Sequence, residues 1–420
     1  MSKRLFLVAS MLIVASMLLA ACGGAAAPAK TLKIVSSLPM TGASLTQTST
    51  MVNAIKLRFE QANNQACGGK YVLAYEAWDD ASAAQGKWDA AVETENANKA
   101  AADKSIIAYL GTFNSGAAKL SIPILNQAGP LVMISAANTA PGLTHSATGL
   151  TEASEPGKYY PSGVRNYARV AATDDLQGPA AVEMMIKLGV KTIYIVNDQE
   201  VYGKGVADSV ELAAKAAGIN VIANEGFDPK AADYKSLMTK IGASNAGGPP
   251  DLLYIGSIID NNAAQVVKDK FAIMGDNTTV KVMGPDGIYT QAMVDGAGAS
   301  AEGVYATTPG LMLKDLGPNG LKFRKDYEAK YGPLTEPYAV LAYDSAAAAL
   351  KAIEDVCAAG GDPTIRESVR AAVFAVRDFD GAMGKWSFDE NGDVSLKYFL
   401  VGQIQGGKYV DYATVAPVIK

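Results

Sequence analysis

Side chains able to do catalytic or ligating chemistry are few in this chain, and the scarcest is histidine: His145 is the only one in 420 residues. Zinc sites built on paired histidines, such as H-E-x-x-H, are thereby excluded, and a Ser or Cys nucleophile that needs a histidine base would have to recruit His145. That residue follows the loop 141–144, with no cysteine near it in sequence and no G-x-S-x-G elbow, and it reads as an ordinary surface or capping histidine. Neither a P-loop nor a G-x-G-x-x-G fingerprint after a strand is present. The run Asp389-Glu390-Asn391-Gly392-Asp393 superficially suggests calcium, but its glycine comes two places early for an EF-hand loop and the closing glutamate is missing. Asn391-Gly392 between strand-like segments reads better as a hairpin turn. No catalytic residue, metal site or cofactor is expected.

Two positions suit the head group of a zwitterion. Asn114-Ser115-Gly116 leads from a strand into a helix, so the Ser115 hydroxyl and nearby backbone N–H groups can receive a carboxylate at the positive end of that helix. Equally, Ser115 or Asn114 can simply be its N-cap. Asp286, in the turn Gly284-Pro285-Asp286-Gly287 after another strand, can pair with an ammonium, although a Pro-Asp-Gly turn takes Asp for conformational reasons alone.

The elements that must position these residues alternate. Strand-like runs at 32–36, 71–77, 106–111 and 131–135 are separated by helical patterns at 51–66, 87–102 and 117–128, with Pro123 inside the last. After a polar interval, 151–162, the rhythm restarts with strands at 192–198, 220–223, 252–256 and 281–284 and helices at 203–217, 233–241 and 263–274. A strand-like run at 304–307, a long helix 338–358, a shorter one 364–376 and further strand-like segments complete the chain. The strands are continuously apolar, as strands buried on both faces by crossover helices are, so the fold class is α/β with parallel sheets in two lobes. Ligands of open parallel sheets bind beyond the carboxyl ends of the strands, and the loops there with unusual residues come from both halves.

Ahead of this, Lys3 and Arg4 precede an uncharged apolar run, 5–21, that ends in small residues directly before Cys22. That is a secretory signal, and its end resembles a bacterial lipobox, which implies that residues 1–21 are removed and Cys22 carries lipid. Residues 22–30, rich in Gly, Ala and Pro, read as a flexible tether. No later stretch approaches the roughly 18 apolar residues of a membrane span. A net charge of −5 without Lys/Arg clusters argues against nucleic acid as a partner.

Gly111-Thr112-Phe113-Asn114-Ser115-Gly116, the following 122–126, 133–135 and 141–144, then 165–170, 174–178, 196–198, Tyr202-Gly203 and 284–287 together resemble the leucine/isoleucine/valine-binding proteins, the type I periplasmic binding proteins of amino-acid transporters. The resemblance runs from about Leu32 to Tyr398. It implies two Rossmann-like lobes joined by a three-segment hinge: residues 31–168 with 306–390 form the first lobe and 169–305 with 391–420 the second. It implies further that Ser115 meets the ligand carboxylate, that Asn138 and Thr139 lie where a hydroxyl and a backbone carbonyl serve the carboxylate and amine, that Asp286 faces the ammonium, and that Tyr202 covers the ligand on closure. The implied partners are a small-molecule amino acid, branched-chain or otherwise apolar, an ABC permease and, through Cys22, the bacterial membrane; the protein is expected outside the cytoplasm as a monomer.

This chain departs from the family pattern in places. The loop 42–47 does not align cleanly, with Thr50 where a glycine is expected, and Ile258 and Ile259 replace aromatic residues that shape the side-chain pocket. Asp79 and Asp80 match an acidic pair read as structural caps and turn formers. Cys67 and Cys357 fall near the ends of first-lobe helices, and export makes a disulfide between them plausible, although the family's known bridge joins other positions. The same fold binding amides, urea or aromatic acids is the nearest alternative. A ligand-sensing receptor component is another, with no signalling segment after Lys420 to favour it, and an enzyme would have only His145 and the cleft carboxylates to work with.

Overall fold

The computed structural model describes residues 29–417. The expected signal peptide, Cys22 and nearly all of the tether lie outside the described residues.

The first sheet is built from β1 (Lys30–Leu38), β2 (Tyr71–Asp79), β3 (Ile106–Gly111), β4 (Val132–Ser135) and β5 (Tyr167–Arg169) in the order 2-1-3-4-5. All these pairs are parallel, with the short strand Gln65–Ala66 antiparallel on the β2 edge. Every residue of β3 and β4 is buried, because helices cover both faces. Those helices include α1 (Leu45–Gln61), α2 (Ala90–Ala102) and α3 (Ser115–Asn126). α1 begins well ahead of the expected 51 because its first turns are polar yet buried: Gln47 and Thr48 are inaccessible, and Thr48 Oγ1 donates to Pro39 O at 2.5 Å. α2 begins later than expected, since Lys87–Trp88 pairs with Ala81–Ser82 and Asp89 caps the helix by accepting from Ala91 N at 2.8 Å.

The second sheet follows α4 (Asp174–Lys187), an element hidden in the sequence by Gly178-Pro179 near its start. β6 (Thr192–Asn197), α5 (Val201–Ala216), β7 (Asn220–Gly226), α6 (Lys235–Gly242), β8 (Leu252–Gly256), α7 (Ala263–Met274), β9 (Lys281–Gly284), α8 (Gln291–Ala297) and β10 (Tyr305–Pro309) come in turn. The chain returns to the first lobe for α9 (Pro318–Tyr331), the long buried α10 (Tyr338–Ala358), α11 (Arg366–Phe374) and the hairpin β11 (Phe379–Gly381) and β12 (Gly384–Trp386). It ends in β13 (Phe399–Ile404) and β14 (Tyr409–Val415), which extend the second sheet to the order 7-6-8-9-10-13-14, antiparallel at its last two pairings.

Three segments, 170–173, 310–317 and 387–398, therefore pass between the sheets. Two details differ from the boundaries drawn on the sequence. Tyr305 pairs with Met283, so the second sheet runs through Pro309, past the return drawn at 306. Asp393 bridges Arg169, so the third segment still lies against the first sheet beyond 390.

Cys67 and Cys357 are joined in a disulfide with a Cα separation of 5.8 Å, tying the turn after α1 to the end of α10 across 290 residues of sequence. Closing so long a loop limits the unfolded chain, and removing such a bond typically costs about 2–5 kcal/mol. Replacing both cysteines by serine should lower the denaturant midpoint accordingly; an unchanged midpoint, together with two free thiols in denatured, unreduced protein, would contradict the bond.

Candidate binding site between the lobes

The first-lobe wall is laid down by the loops after β3 and β4. Asn114 occupies the N-cap position of α3 in extended conformation, but its side chain caps nothing and its Oδ1 has no partner. Ser115, the first residue of the helix, is buried, and its Oγ accepts from Ala140 N at 3.3 Å. The capping reading of either residue therefore finds no support, and the positive end of α3 is not neutralised by its own side chains. Asn138 is a structural tie: its Nδ2 donates to Phe113 O at 2.9 Å and its Oδ1 accepts from Tyr167 at 3.1 Å, fixing the two loops to one another. Thr139 is inaccessible to solvent; its carbonyl accepts from Asp174 N at 2.9 Å, while its hydroxyl has no partner.

The opposite wall centres on Asp286, just past β9. Its Oδ1 accepts from the Tyr202 hydroxyl at 2.8 Å, and its Oδ2 accepts from the Tyr338 hydroxyl. Tyr202 in turn accepts from Gly287 N at 2.9 Å. Tyr338 opens α10 of the first lobe, so this bond crosses between the lobes. Burial raises the Asp286 pKa against the pull of the Tyr338 and Tyr202 hydrogen bonds. Asp174, at the start of α4, is wholly buried with neither carboxylate oxygen partnered, and burial, then the charge of Asp286, push its pKa well above the carboxylate range.

Around this pair Gln47 Oε1, Gln177 Oε1 and the Tyr254 hydroxyl are also buried without partners. Unpartnered buried polar atoms are uncommon in folded chains, and apart from the hydroxyls these can only accept. Arg169, whose charge acts on Asp174, is committed to Asp393 and to the carbonyls of Asn138 and Ala140. The described residues here thus gather several buried acceptors without a free cationic side chain, and the start of α3 carries no side-chain cap.

Beside it, Tyr202, Val206 and Ile258 form a small apolar cluster with Trp88 packed against it. Trp88 lies over Gly116, where a Cβ would come within 2.9 Å of the indole, so a larger residue at 116 would displace it. Ile259, expected in the same pocket, belongs instead to the second-lobe core. The lobes meet at the mouth: Asp260 accepts from Ala43 N at 2.6 Å and from Ser44 N at 3.0 Å, and Lys87 donates to Asn261 Oδ1 at 2.7 Å and to Glu200.

The sequence reading did not single out Asp174, Gln177, Tyr338, Gln47, Tyr254 or Trp88. Asp174 stood only as the first residue of a matching stretch and Tyr338 only as a helix start. Asp79 behaves as expected, accepting from Met40 N and Ala81 N at 2.8 Å each. Asp80 does not: it is fully buried with unpartnered oxygens beside Glu93, and burial followed by the Glu93 charge raises its pKa. His145 is not an ordinary surface histidine either, being held between Asp393 and Asp175 at 2.9 and 3.2 Å.

The model of the family described as periplasmic binding protein matches residues 31–408. A leucine-, isoleucine-, valine-, threonine- and alanine-binding protein of Pseudomonas aeruginosa is 27% identical over 241 residues, covering 57% of this chain and 60% of that protein, less than two thirds of its length. A Leu/Ile/Val-binding protein, BraC3, of Rhizobium johnstonii is also 27% identical, over 75% of this chain and 77% of its own. Among solved structures, a leucine-binding protein of Thermotoga maritima superposes with a TM-score of 0.77 at 22% identity, covering 92% of this chain and 99% of that one. A solute-binding protein of R. palustris in complex with benzoate gives 0.74 at 20% identity, covering 93% and 97%.

Proposed function

The chain belongs to the periplasmic binding protein family, and from that premise we propose that it captures an apolar, branched-chain-type amino acid between its lobes and presents it to an ABC permease outside the cytoplasm. The observation that carries the reading is the wholly buried, unpartnered Asp174 within reach of the Asp286 charge, together with the start of α3 left without a side-chain cap. Burying one charge of a zwitterion without a partner costs several kcal/mol, so a cleft for amino acids must answer both. In this reading the ligand carboxylate sits at Ser115 Oγ and the backbone N–H groups of the first turn of α3. The Thr139 hydroxyl stands beside it. The ammonium lies at Asp286, with Asp174 as a second counter-charge, and the side chain rests on Trp88, Tyr202 and Ile258.

Because Asp286 and Tyr202 come from one lobe and Ser115 and Thr139 from the other, ligand contacts are complete only when the lobes meet. The ligand then favours the closed form by its difference in affinity for the two, and the closed form is what the permease reads. Attachment through a lipidated Cys22 would keep the protein at the membrane surface as a monomer.

A melting-temperature screen over the amino acids, their amides, urea, benzoate and simple amines tests the assignment. Apolar amino acids should stabilise the protein, whereas the matching deaminated acid, which lacks the ammonium that Asp286 answers, should not. Stabilisation by benzoate with no response to any amino acid would replace the reading by an aromatic-acid carrier; such a ligand would leave Asp174 without a donor and Asp286 with its two tyrosines alone.

A further inference from the structure

A second cavity lies away from the cleft, where the three crossing segments run together. Val170 of the first, Leu311 of the second and Leu396 of the third share its wall with Leu334 and Val340 of the first lobe and Leu400 of the second. The volume open to water inside it is about 60 Å³, and it is partly open to solvent. The wall is aliphatic apart from a few polar groups, and its only ionisable side chains besides Tyr289 and Tyr398 are Glu336 and Asp411, both acidic.

Glu336 is the unusual member. It is 1% exposed; its Oε1 accepts from Gln291 N at 3.0 Å and Thr290 Oγ1 at 3.2 Å, reaching across to the start of α8 in the other lobe, while its Oε2 has no partner. Burial raises its pKa to about 7 against those two hydrogen bonds, so the carboxyl is poised to ionise when a donor arrives. A buried carboxylate oxygen left free is satisfied by one charge-assisted hydrogen bond; the lining has no Lys or Arg, and none of its hydroxyls, on Tyr289, Tyr398 and Thr335, is bonded to Oε2.

We infer that this hinge cavity is a second binding site, independent of the amino-acid cleft, for a small amphiphilic cation: an aliphatic or arylalkyl body on the leucine wall and one primary ammonium on Glu336 Oε2.

Calorimetric titration of the protein with n-hexylamine and phenethylamine, with 1-hexanol and hexanoate as matched probes, tests it. Saturable binding of the amines is expected, at least tenfold tighter than that of either matched probe. Glu336→Gln, which keeps the acceptor for Gln291 and Thr290, should weaken amine binding at least tenfold, and Leu311→Trp should abolish it by filling the cavity. Asp286→Asn should leave it unchanged, and this separates the hinge site from the cleft. No amine binding, equal binding of hexanol, indifference to both hinge substitutions, or loss of amine binding in Asp286→Asn would each overturn the inference. If Glu336→Gln does not fold, Leu311→Trp and the matched probes still decide.

Discussion

Asp286→Asn is expected to weaken amino-acid binding by about thirtyfold or more while raising the melting temperature of the ligand-free protein. Truncating one partner of a buried, hydrogen-bonded charge pair costs at least about 2 kcal/mol, which is about thirtyfold in affinity. Asparagine keeps the shape and an acceptor for Tyr202, and its amide can donate to the Tyr338 oxygen, so the loss falls on the ammonium and not on the walls. Stability moves the other way. Burial raises the pKa of Asp286 in the folded protein, and an acid with a raised folded pKa destabilises the fold as pH climbs past its ordinary value, since the unfolded chain ionises more readily. Near neutral pH the substitution removes that penalty, and with it part of the repulsion that raises Asp174. Calorimetry and thermal melts on one preparation read both effects. Unchanged affinity would remove Asp286 from the head-group site. A fall in affinity and melting temperature together would make it a structural residue whose hydrogen bonds to the two tyrosines hold the cleft in shape.

The same division between packing and polar placement decides what the sequence made legible. Parallel strands buried on both faces appear as unbroken apolar runs, so β3, β6 and β8 stand out against their loops, and with them the two-sheet architecture. Ser115 opens α3 and Asp286 sits in a turn, and both lie within a few residues of the carboxyl end of a strand, where a parallel sheet gathers its ligands, so local pattern points to them. Asp174 and Tyr338 open helices, and in sequence a residue opening a helix is indistinguishable from an ordinary terminus. Their role depends on which atoms lack partners once the lobes meet, a property of the closed arrangement that local pattern does not carry. α1 shows the converse: its first turns look too polar for a buried helix because Gln47 and Thr48 spend their polarity on the cleft loops. His145 was misread for a related reason, since its partners Asp175 and Asp393 lie 30 and 248 residues away in sequence.

Those partners lead to the second large effect, at the hinge. Arg169 is inaccessible to solvent; its Nε donates to Asp393 Oδ1 at 2.6 Å, and its remaining donors reach the carbonyls of Asn138 and Ala140 and the Thr144 hydroxyl. Asp393 also accepts from Thr144 Oγ1 at 2.8 Å and from His145. Burial would raise its pKa, but the Arg169 charge and the His145 hydrogen bond hold it well below the carboxylate range. The third crossing segment is thus pinned to the end of β5, where the first segment begins, and to the first-lobe loop 138–145. Arg169→Met leaves a buried carboxylate with the Thr144 hydroxyl and a partly exposed histidine to face it, and breaking such a pair from one side costs about 3–5 kcal/mol. The denaturant midpoint should fall accordingly, and Asp393→Asn added to Arg169→Met should recover part of the loss, because it removes the stranded charge. No recovery would mean that Arg169 acts through its carbonyl contacts alone. His145 adds a pH signature. Asp175, then Asp393, raise its pKa from 6.5 to about 9, so the folded state holds the proton more tightly. Its contribution is complete below the ordinary histidine pKa and disappears as pH rises through about 9. The ring is 26% exposed, which limits the effect to about 1–2 kcal/mol after solvent screening. The stability difference between the protein and His145→Gln should therefore shrink steadily from pH 6.5 to above 9, and a difference that stays constant across that window would show that the histidine does not clamp the hinge as a cation.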